Sequence, residues 1–357
     1  MERIIEQYRR RIAATNQEFI RSIADTIAWD ARLVGIRGAR GVGKTTLLLQ
    51  HIAEAFSNNL NVALYASLDN LWFANHSLIE LADNFVKRGG THLFLDEVHA
   101  YPQWSQTIKN IYDDYPDLHM VFTGSSLLEI LNARADLSRR AVVYTMQGLS
   151  FREFLNLQTG ENFPVISLPE LLQHHETLAP EIVAHVHPFQ YFSGYLQTGY
   201  YPYFLEGLDV YPQRLEETVQ MILELELPQL RGIEIAYVPK LKQLLHIISE
   251  SAPFIPNISK LSERIGINRH TLLAYLHYLH EAKLILSFPM DMSLNIQKRV
   301  IFLSMGSIPS RSAEKTRHER KSKPLLMHIS RRTILSTGTI ERFRSGCLGF
   351  CIEFWSG

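Results

Sequence analysis

Short apolar runs alternate with amphipathic stretches through the first 150 residues. Leu33, Val34 and Ile36 read as a buried strand, after which Leu47, Leu48, Ile52 and Phe56 recur at helical spacing. Residues 61–68, with Val62, Leu64 and Tyr65, read as a second strand, 92–97 as a third, 119–123 as a fourth and 141–146 as a fifth. Helical patterns fill the gaps, among them 77–87 and 104–112. This alternation predicts an α/β fold, a parallel sheet covered by helices. Residues 155–240 are less regular: Pro164, Pro169, Pro180, Pro188, Pro202 and Pro212 punctuate short helical runs, read as a helical lid. From residue 240 the pattern sharpens again. Leu241, Leu244, Leu245 and Ile248 form one helix, and Ile258, Leu261 and Ile265 a second that Gly266 stops. A third, capped by Asn268, repeats Leu272, Leu276 and Leu279, and an apolar run follows at 284–288. That order of elements predicts a winged helix-turn-helix.

The chemistry enters between the first strand and its helix. Residues 38–45 read Gly-Ala-Arg-Gly-Val-Gly-Lys-Thr, the phosphate-binding pattern G-x-x-x-x-G-K-[ST] in a strand–loop–helix context. Gly38, Gly41 and Gly43 permit the tight curl that lets the amides of residues 41–44 converge on a phosphate. Gly38, Ala39, Arg40, Gly41, Val42, Gly43, Lys44, Thr45 and Thr46 are therefore the expected ATP-binding residues. Lys44 would reach the β- and γ-phosphates, and the Thr45 hydroxyl would ligate Mg²⁺. The third strand ends in Asp96-Glu97, with Asp96 expected to hold Mg²⁺ and Glu97 to polarise the attacking water. An extra strand before this acidic one, with a glutamate beside the metal aspartate, is the arrangement of P-loop ATPases that activate water with a carboxylate. Thr123 or Ser125, at the tip of the fourth strand, could bond the γ-phosphate or the water; a polar strand end is the alternative for Ser125 and Ser126. Arg139 and Arg140, before the fifth strand, could stabilise phosphoryl charge in cis or on a neighbouring subunit, or be a solvated strand start.

Several runs carry a resemblance: 38–46, 93–97, Tyr101-Pro102-Gln103-Trp104-Ser105, Val121-Phe122-Thr123-Gly124-Ser125-Ser126, Ser138-Arg139-Arg140 and Leu149-Ser150-Phe151-Arg152-Glu153-Phe154. Together they resemble the predicted AAA+ superfamily ATPases of bacteria and archaea. Gly199-Tyr200-Tyr201-Pro202 is similar to a Gly-Gly-Tyr-Pro turn of the same family, with Thr198 at the first glycine. The resemblance spans about residues 1–295. It implies an AAA-type core, a winged-helix segment, and ATP binding with hydrolysis; it supplies no substrate. Preference for adenine follows from it and from the lack of an Asn-Lys-x-Asp guanine-reading motif. The domains expected are an N-terminal helical segment (1–30), the ATPase core (31–157), the lid (158–239), the winged helix (240–290) and a basic tail (291–357).

Charge separates that tail from the rest. The chain has 36 Lys+Arg and 36 Asp+Glu, but residues 297–357 hold 12 basic against 4 acidic and the remainder 24 against 32. Periodic apolar faces fade there, both cysteines (Cys347 and Cys351) fall there, and the nuclease-like domain that family members carry next does not appear. A change of reading frame near residues 295–298 is the expectation; a functional basic arm is the alternative. At 357 residues there is room for two or three domains. No run of 18 apolar residues occurs, so no membrane span is expected. Arg9-Arg10-Arg11 is followed by no apolar segment, which does not fit a signal peptide. With no disulfide framework, a reducing cytoplasm is the expected location. His174, His175, His185 and His187 lack acidic or cysteine partners at ligand spacing and read as solvated helix faces. On the third C-terminal helix, Arg269, His270, Tyr275 and Tyr278 are candidate outward residues for DNA, against a packing module as the plainer reading. Two functions stand: an ATP- and Mg²⁺-dependent hydrolase, with a homo-oligomer among its partners, or an ATP-gated DNA-binding switch with little hydrolysis. A non-functional truncated product is a third.

Overall fold

The computed structural model describes residues 1–124, 137, 139–250, 256–289 and 299–303. Contacts divide the chain into two units after Gly148, earlier than the boundary after residue 157 expected from the sequence.

The first unit is built on five parallel strands: β1 (Leu33–Arg37), β2 (Ala63–Ser67), β3 (His92–Asp96), β4 (His119–Gly124) and β5 (Val142–Thr145). Their order is β2-β3-β4-β1-β5, so the strand carrying Thr123 lies between the phosphate-loop strand and the acidic strand. Strand ends differ from expectation by one or two residues, and two of the differences have a clear local cause. Leu60–Val62 is a 3₁₀ turn whose N-cap Asn59 accepts from the Asn61 amide, so β2 starts at Ala63. Glu97 falls outside β3, because its φ of 51° turns the chain off the strand line.

Among the described residues, α1 (Glu2–Ala13), α2 (Lys44–Ala55), α3 (Leu78–Lys87) and α4 (Trp104–Asp114) flank this sheet. Ser77 caps α3 by accepting from the Glu80 amide, as Ser before an apolar periodic run should. The core is the paired apolar faces of strand and helix: Leu33, Ile36, Leu47, Leu48, Ile52, Leu81, Phe94 and Phe122 are almost wholly inaccessible. At Gly35 a Cβ would stand 2.6 Å from the Phe122 ring, so that ring lies over the bare backbone of β1 and a side chain at 35 would displace it. Ile4 and Tyr8 of α1 are buried, and α1 packs against β2 and α2.

The second unit is helical before it becomes mixed. Helix α5 (Phe151–Thr159) opens with a capping box in which Ser150 and Glu153 satisfy each other's backbone amides. The Leu-Ser-Phe-Arg-Glu-Phe run therefore has a structural use. Arg152 donates to the Phe163 carbonyl, Asn156 bonds both backbone groups of Phe163, and Phe151 and Phe154 pack on Phe192, Tyr195 and Phe204. Helices α6 (Leu168–His185), α7 (Pro188–Thr198) and α8 (Tyr211–Met221) follow. Pro180 sits inside α6 and does not break it. After a π turn (Ile222–Glu226) come α9 (Leu227–Arg231), α10 (Val238–Glu250), α11 (Ile258–Ile265) and α12 (Arg269–Glu281). Gly266 ends α11 in the left-handed region and Asn268 caps α12, both as expected.

One feature corrects the sequence reading of this part. Tyr275 is buried with Leu272, Leu276 and Leu279, because it shares their stripe on α12; it does not face outward. Strand β6 (Ile285–Pro289) pairs antiparallel with β7 (Arg299–Leu303). Residues 291–298 and 304–357, on which the rest of the tail reading falls, lie outside the described residues.

Candidate functional site

All five strands of the sheet run the same way, so Arg37, Ser67, Asp96, Gly124 and Thr145 end at one edge. The chain leaves β1 at that edge and curls before α2. Gly41 (φ 84°) and Gly43 (φ 99°) adopt left-handed backbone on either side of Val42, the alternation that points successive amides into a common concavity. Gly38 has a different reason for lacking a side chain. It has no positive φ, but a Cβ there would lie 2.2 Å from the Met146 carbonyl oxygen, so the loop's start is wedged against the exit of β5. Ala39 and Val42 are buried; Arg40, Gly41 and Thr46 face solvent. Lys44 opens α2 with its stem buried, and Nζ donates to the Gly38 and Ala39 carbonyls at 2.9 and 3.0 Å, holding the ammonium across the loop.

Thr45 and Asp96 meet. Thr45 Oγ1 donates to Asp96 Oδ2 at 2.6 Å, although 51 residues separate them. Asp96 is almost fully buried, and both of its oxygens are engaged. Oδ2 also accepts from the Tyr65 hydroxyl at 2.8 Å; Oδ1 accepts from Thr123 Oγ1 and, at 3.1 Å, from the Glu97 amide. Four donors around one buried carboxylate offset the cost of desolvating it. Thr45 and Asp96 thus present hard oxygen atoms together at the helix start, a donor set that suits Mg²⁺ completed by phosphate and water.

Glu97 follows in the left-handed region (φ 51°, ψ 45°), where a residue with a Cβ is strained by about 1–2 kcal/mol. That turn brings its amide back onto Asp96 and takes its side chain off the strand. Its Oε2 lies 3.2 Å from His99 Nδ1, close but without hydrogen-bond alignment. Burial pushes His99 below the usual histidine range; the Glu97 charge opposes this, while the cations of Lys44 and Arg40 add to it.

Other expectations fare differently. Thr123 is wholly buried, and its single hydroxyl proton goes to Asp96 while its oxygen accepts from the Glu97 amide at 3.4 Å. In this arrangement it orients the acidic pair. Ser125 and Ser126 lie outside the described residues. Arg139 and Arg140 precede β5, whose Val142 is in register with Val34 at the start of β1, so both stand at the opposite end of the sheet from the phosphate loop. Arg140 makes a bidentate pair with Asp113 at 3.0 Å, and Arg139 is exposed. The in-cis role therefore fails on strand direction; a role on a neighbouring subunit is compatible with that position.

Two residues were missed. Tyr65 reads in the sequence as a strand aromatic, and nothing marks its hydroxyl as bound to Asp96. Arg21 sits in an unpatterned segment, yet it is buried: Nη1 donates to the Val42 carbonyl at 2.8 Å and Nη2 to the Gln147 and Gly148 carbonyls at 2.9 Å. One guanidinium thus ties the phosphate loop to the segment that leaves β5.

Residues 30–155 match the family profile described as an AAA domain. No curated protein matches the chain. Solved structures similar to it include the ORC1 protein of Aeropyrum pernix in complex with DNA, at 16% identity over 84% of this chain and 89% of that one, with a TM-score of 0.30. AMPPCP-bound DnaA from Aquifex aeolicus has 12% identity over 73% and 85%, with a TM-score of 0.31. PCH-2 of C. elegans has 16% identity over 47% and 46%, with a TM-score of 0.27. Likenesses this distant leave the assignment to the family match, the strand order and the loop. Residues 30–155 thus combine a match to the AAA-domain profile with the five-stranded parallel sheet of a P-loop α/β fold.

Proposed function

We propose that this protein binds ATP at the loop 38–46 and hydrolyses it with Mg²⁺. The observation that carries the reading is the 2.6 Å bond from Thr45 to Asp96, which puts the two expected metal-holding oxygens side by side at the start of α2. When bound, Mg²⁺ neutralises charge shared by the β- and γ-phosphates. The chain's own residues supply the rest. Amides of residues 41–44 and the α2 N-terminus receive phosphate oxygens. Lys44 exchanges its two loop carbonyls for phosphate oxygens, which are stronger acceptors. Thr123 donates to Asp96 and helps keep it in one rotamer. Glu97 orients a water for attack on the γ-phosphorus and takes its proton as the bond to the ADP oxygen breaks. Arg139 or Arg140 would act only on a neighbouring subunit's nucleotide, which makes a homo-oligomer the working form.

Glu97→Gln tests the assignment, since the amide keeps the shape and loses the base. ATP affinity should hold within about twofold while turnover falls by about 10²–10⁴. An unchanged rate removes Glu97 from the mechanism, and wild-type protein that fails to bind ATP removes the whole reading. A second reading rests on α11 and α12 followed by the β6–β7 ribbon, with Arg264, Arg269 and His270 exposed. If ATP gates a DNA surface there, duplex affinity will fall with salt and differ with and without ATP; identical salt curves reject it.

A further inference from the structure

The hydroxyl of Tyr65 has two partners, and their chemistry fixes its direction. Arg11 Nη1 lies 2.7 Å from Tyr65 Oη, and Asp96 Oδ2 lies 2.8 Å from it. A guanidinium can only donate, so the phenol oxygen accepts from Arg11 and its one proton is left to point at Asp96. The Arg11 guanidinium also stands 5.3 Å from the centre of the Tyr65 ring. Tyr65 is 3% exposed, and a phenylalanine would fill the same core space, so what the hydroxyl adds is this bond. Arg11 is brought there by α1, which is itself anchored to the region around β2. Tyr8 donates to the Leu60 carbonyl, Arg9 to Asn61 Oδ1, and Gln7 accepts from Asn70, while Ile4 and Tyr8 are buried.

We propose that Tyr65, oriented by Arg11 of α1, is a positioning residue that holds the magnesium-binding carboxylate of Asp96 in its working rotamer. This rests on the functional reading above and extends it to an element outside the matched domain. Thr45 and Tyr65 approach the same oxygen, one from α2 and the other from β2. Their joint hold fixes the side-chain torsion of Asp96 and leaves its negative charge directed at the loop. Without the phenol proton, Oδ2 keeps only the Thr45 bond among those described, and the carboxylate must be ordered at the moment the metal arrives. Partners of a metal-holding group act in this way through affinity more than through the chemical step.

The test measures binding of a fluorescent ATP analogue to the full chain as Mg²⁺ is raised, alongside thermal melting and the Mg²⁺ dependence of turnover. Tyr65→Phe should raise the Mg²⁺ midpoint by about tenfold, leave analogue affinity in EDTA unchanged, and alter kcat at saturating Mg²⁺ by less than about threefold. Arg11→Ala should shift the midpoint by about threefold in the same direction, and Arg11→Lys, which keeps a donor, should recover most of it. A folded Y65F protein whose midpoint stays within twofold of wild type overturns the proposal, as does an equal loss of affinity with and without Mg²⁺. Should Y65F fail to fold, the exposed Arg11 carries the decision, and an unmoved midpoint in R11A overturns the proposal. Wild type whose nucleotide binding ignores Mg²⁺ is a distinct result: it overturns the metal site itself and this proposal with it.

Discussion

Replacing Arg21 with methionine keeps most of the stem and removes the guanidinium. Three carbonyls, those of Val42, Gln147 and Gly148, then lose a charged donor at 2.8–2.9 Å in a region where the arginine is 8% exposed. A buried acceptor left unpaired costs about 1–3 kcal/mol. Removing the buried charge itself returns part of this, because its desolvation no longer has to be met. The net expectation is a loss of about 3 kcal/mol, or roughly 150-fold in the folding equilibrium. Urea unfolding followed by tryptophan fluorescence is a suitable assay, since Trp29, Trp72 and Trp104 all belong to the first unit. Arg21→Lys should fall between the two, one ammonium being unable to reach three carbonyls in a planar fork. Because the Val42 carbonyl belongs to the phosphate loop, ATP affinity measured well below the unfolding midpoint should drop as well. A stability loss under about 1 kcal/mol refutes the clamp. Lost stability with unaltered ATP affinity refutes its link to the loop.

Two further substitutions read other parts of the first unit. Gly38→Ala drives a methyl to within 2.2 Å of the Met146 carbonyl oxygen, so it should destabilise by about 1–3 kcal/mol and weaken ATP binding; chemical denaturation equal to wild type would refute this account of Gly38. His51, stacked on Trp29 at 3.8 Å, is pushed down to about 4 by burial and then by His92. The unfolded chain, titrating near 6.5, therefore binds the extra proton first: stability is complete above about pH 6.5 and declines as pH falls towards 4. Discounted for solvent on a half-buried ring, the loss at pH 5 is about 1 kcal/mol. His51→Phe keeps the stack and should flatten the decline, and melting curves with the same pH slope as wild type would remove His51 as its source.

What the sequence disclosed was what lies close along the chain or repeats with a period. The phosphate loop, its flanking strand and helix, and the aspartate at the end of an apolar run are local patterns, and the structure joins them through Thr45 and Asp96. Arg21 escaped because its contacts at 147 and 148 are more than 120 residues away and its own surroundings have no period. Tyr65 escaped because a strand aromatic looks like core, which its ring is; its hydroxyl becomes informative only once β2 is known to pair with β3. Arg139 and Arg140 could have been placed from the sequence. A residue that precedes a parallel strand must sit at the edge opposite the one where the phosphate loop leaves its own strand. Tyr275 was also legible, since i, i+3, i+4 and i+7 spacing from Leu272 puts it on the buried stripe.

Asp96 is the point at which these elements converge. Its donors come from the start of α2, from β2, from β4 and from the backbone immediately after β3, so four separately encoded parts must be in place for one carboxylate to be fully bonded. A buried acid that served packing alone would be replaceable by an apolar side chain at no loss, and often with a gain. Here the bonding instead leaves the charge fixed, within reach of Thr45 and next to a glutamate in a strained backbone conformation. The amide of that strained Glu97 is one of the four donors, so the turn that orders Asp96 is the same turn that swings the Glu97 carboxylate away from the strand. The groups proposed to hold metal and to orient water are thereby set by a single local geometry.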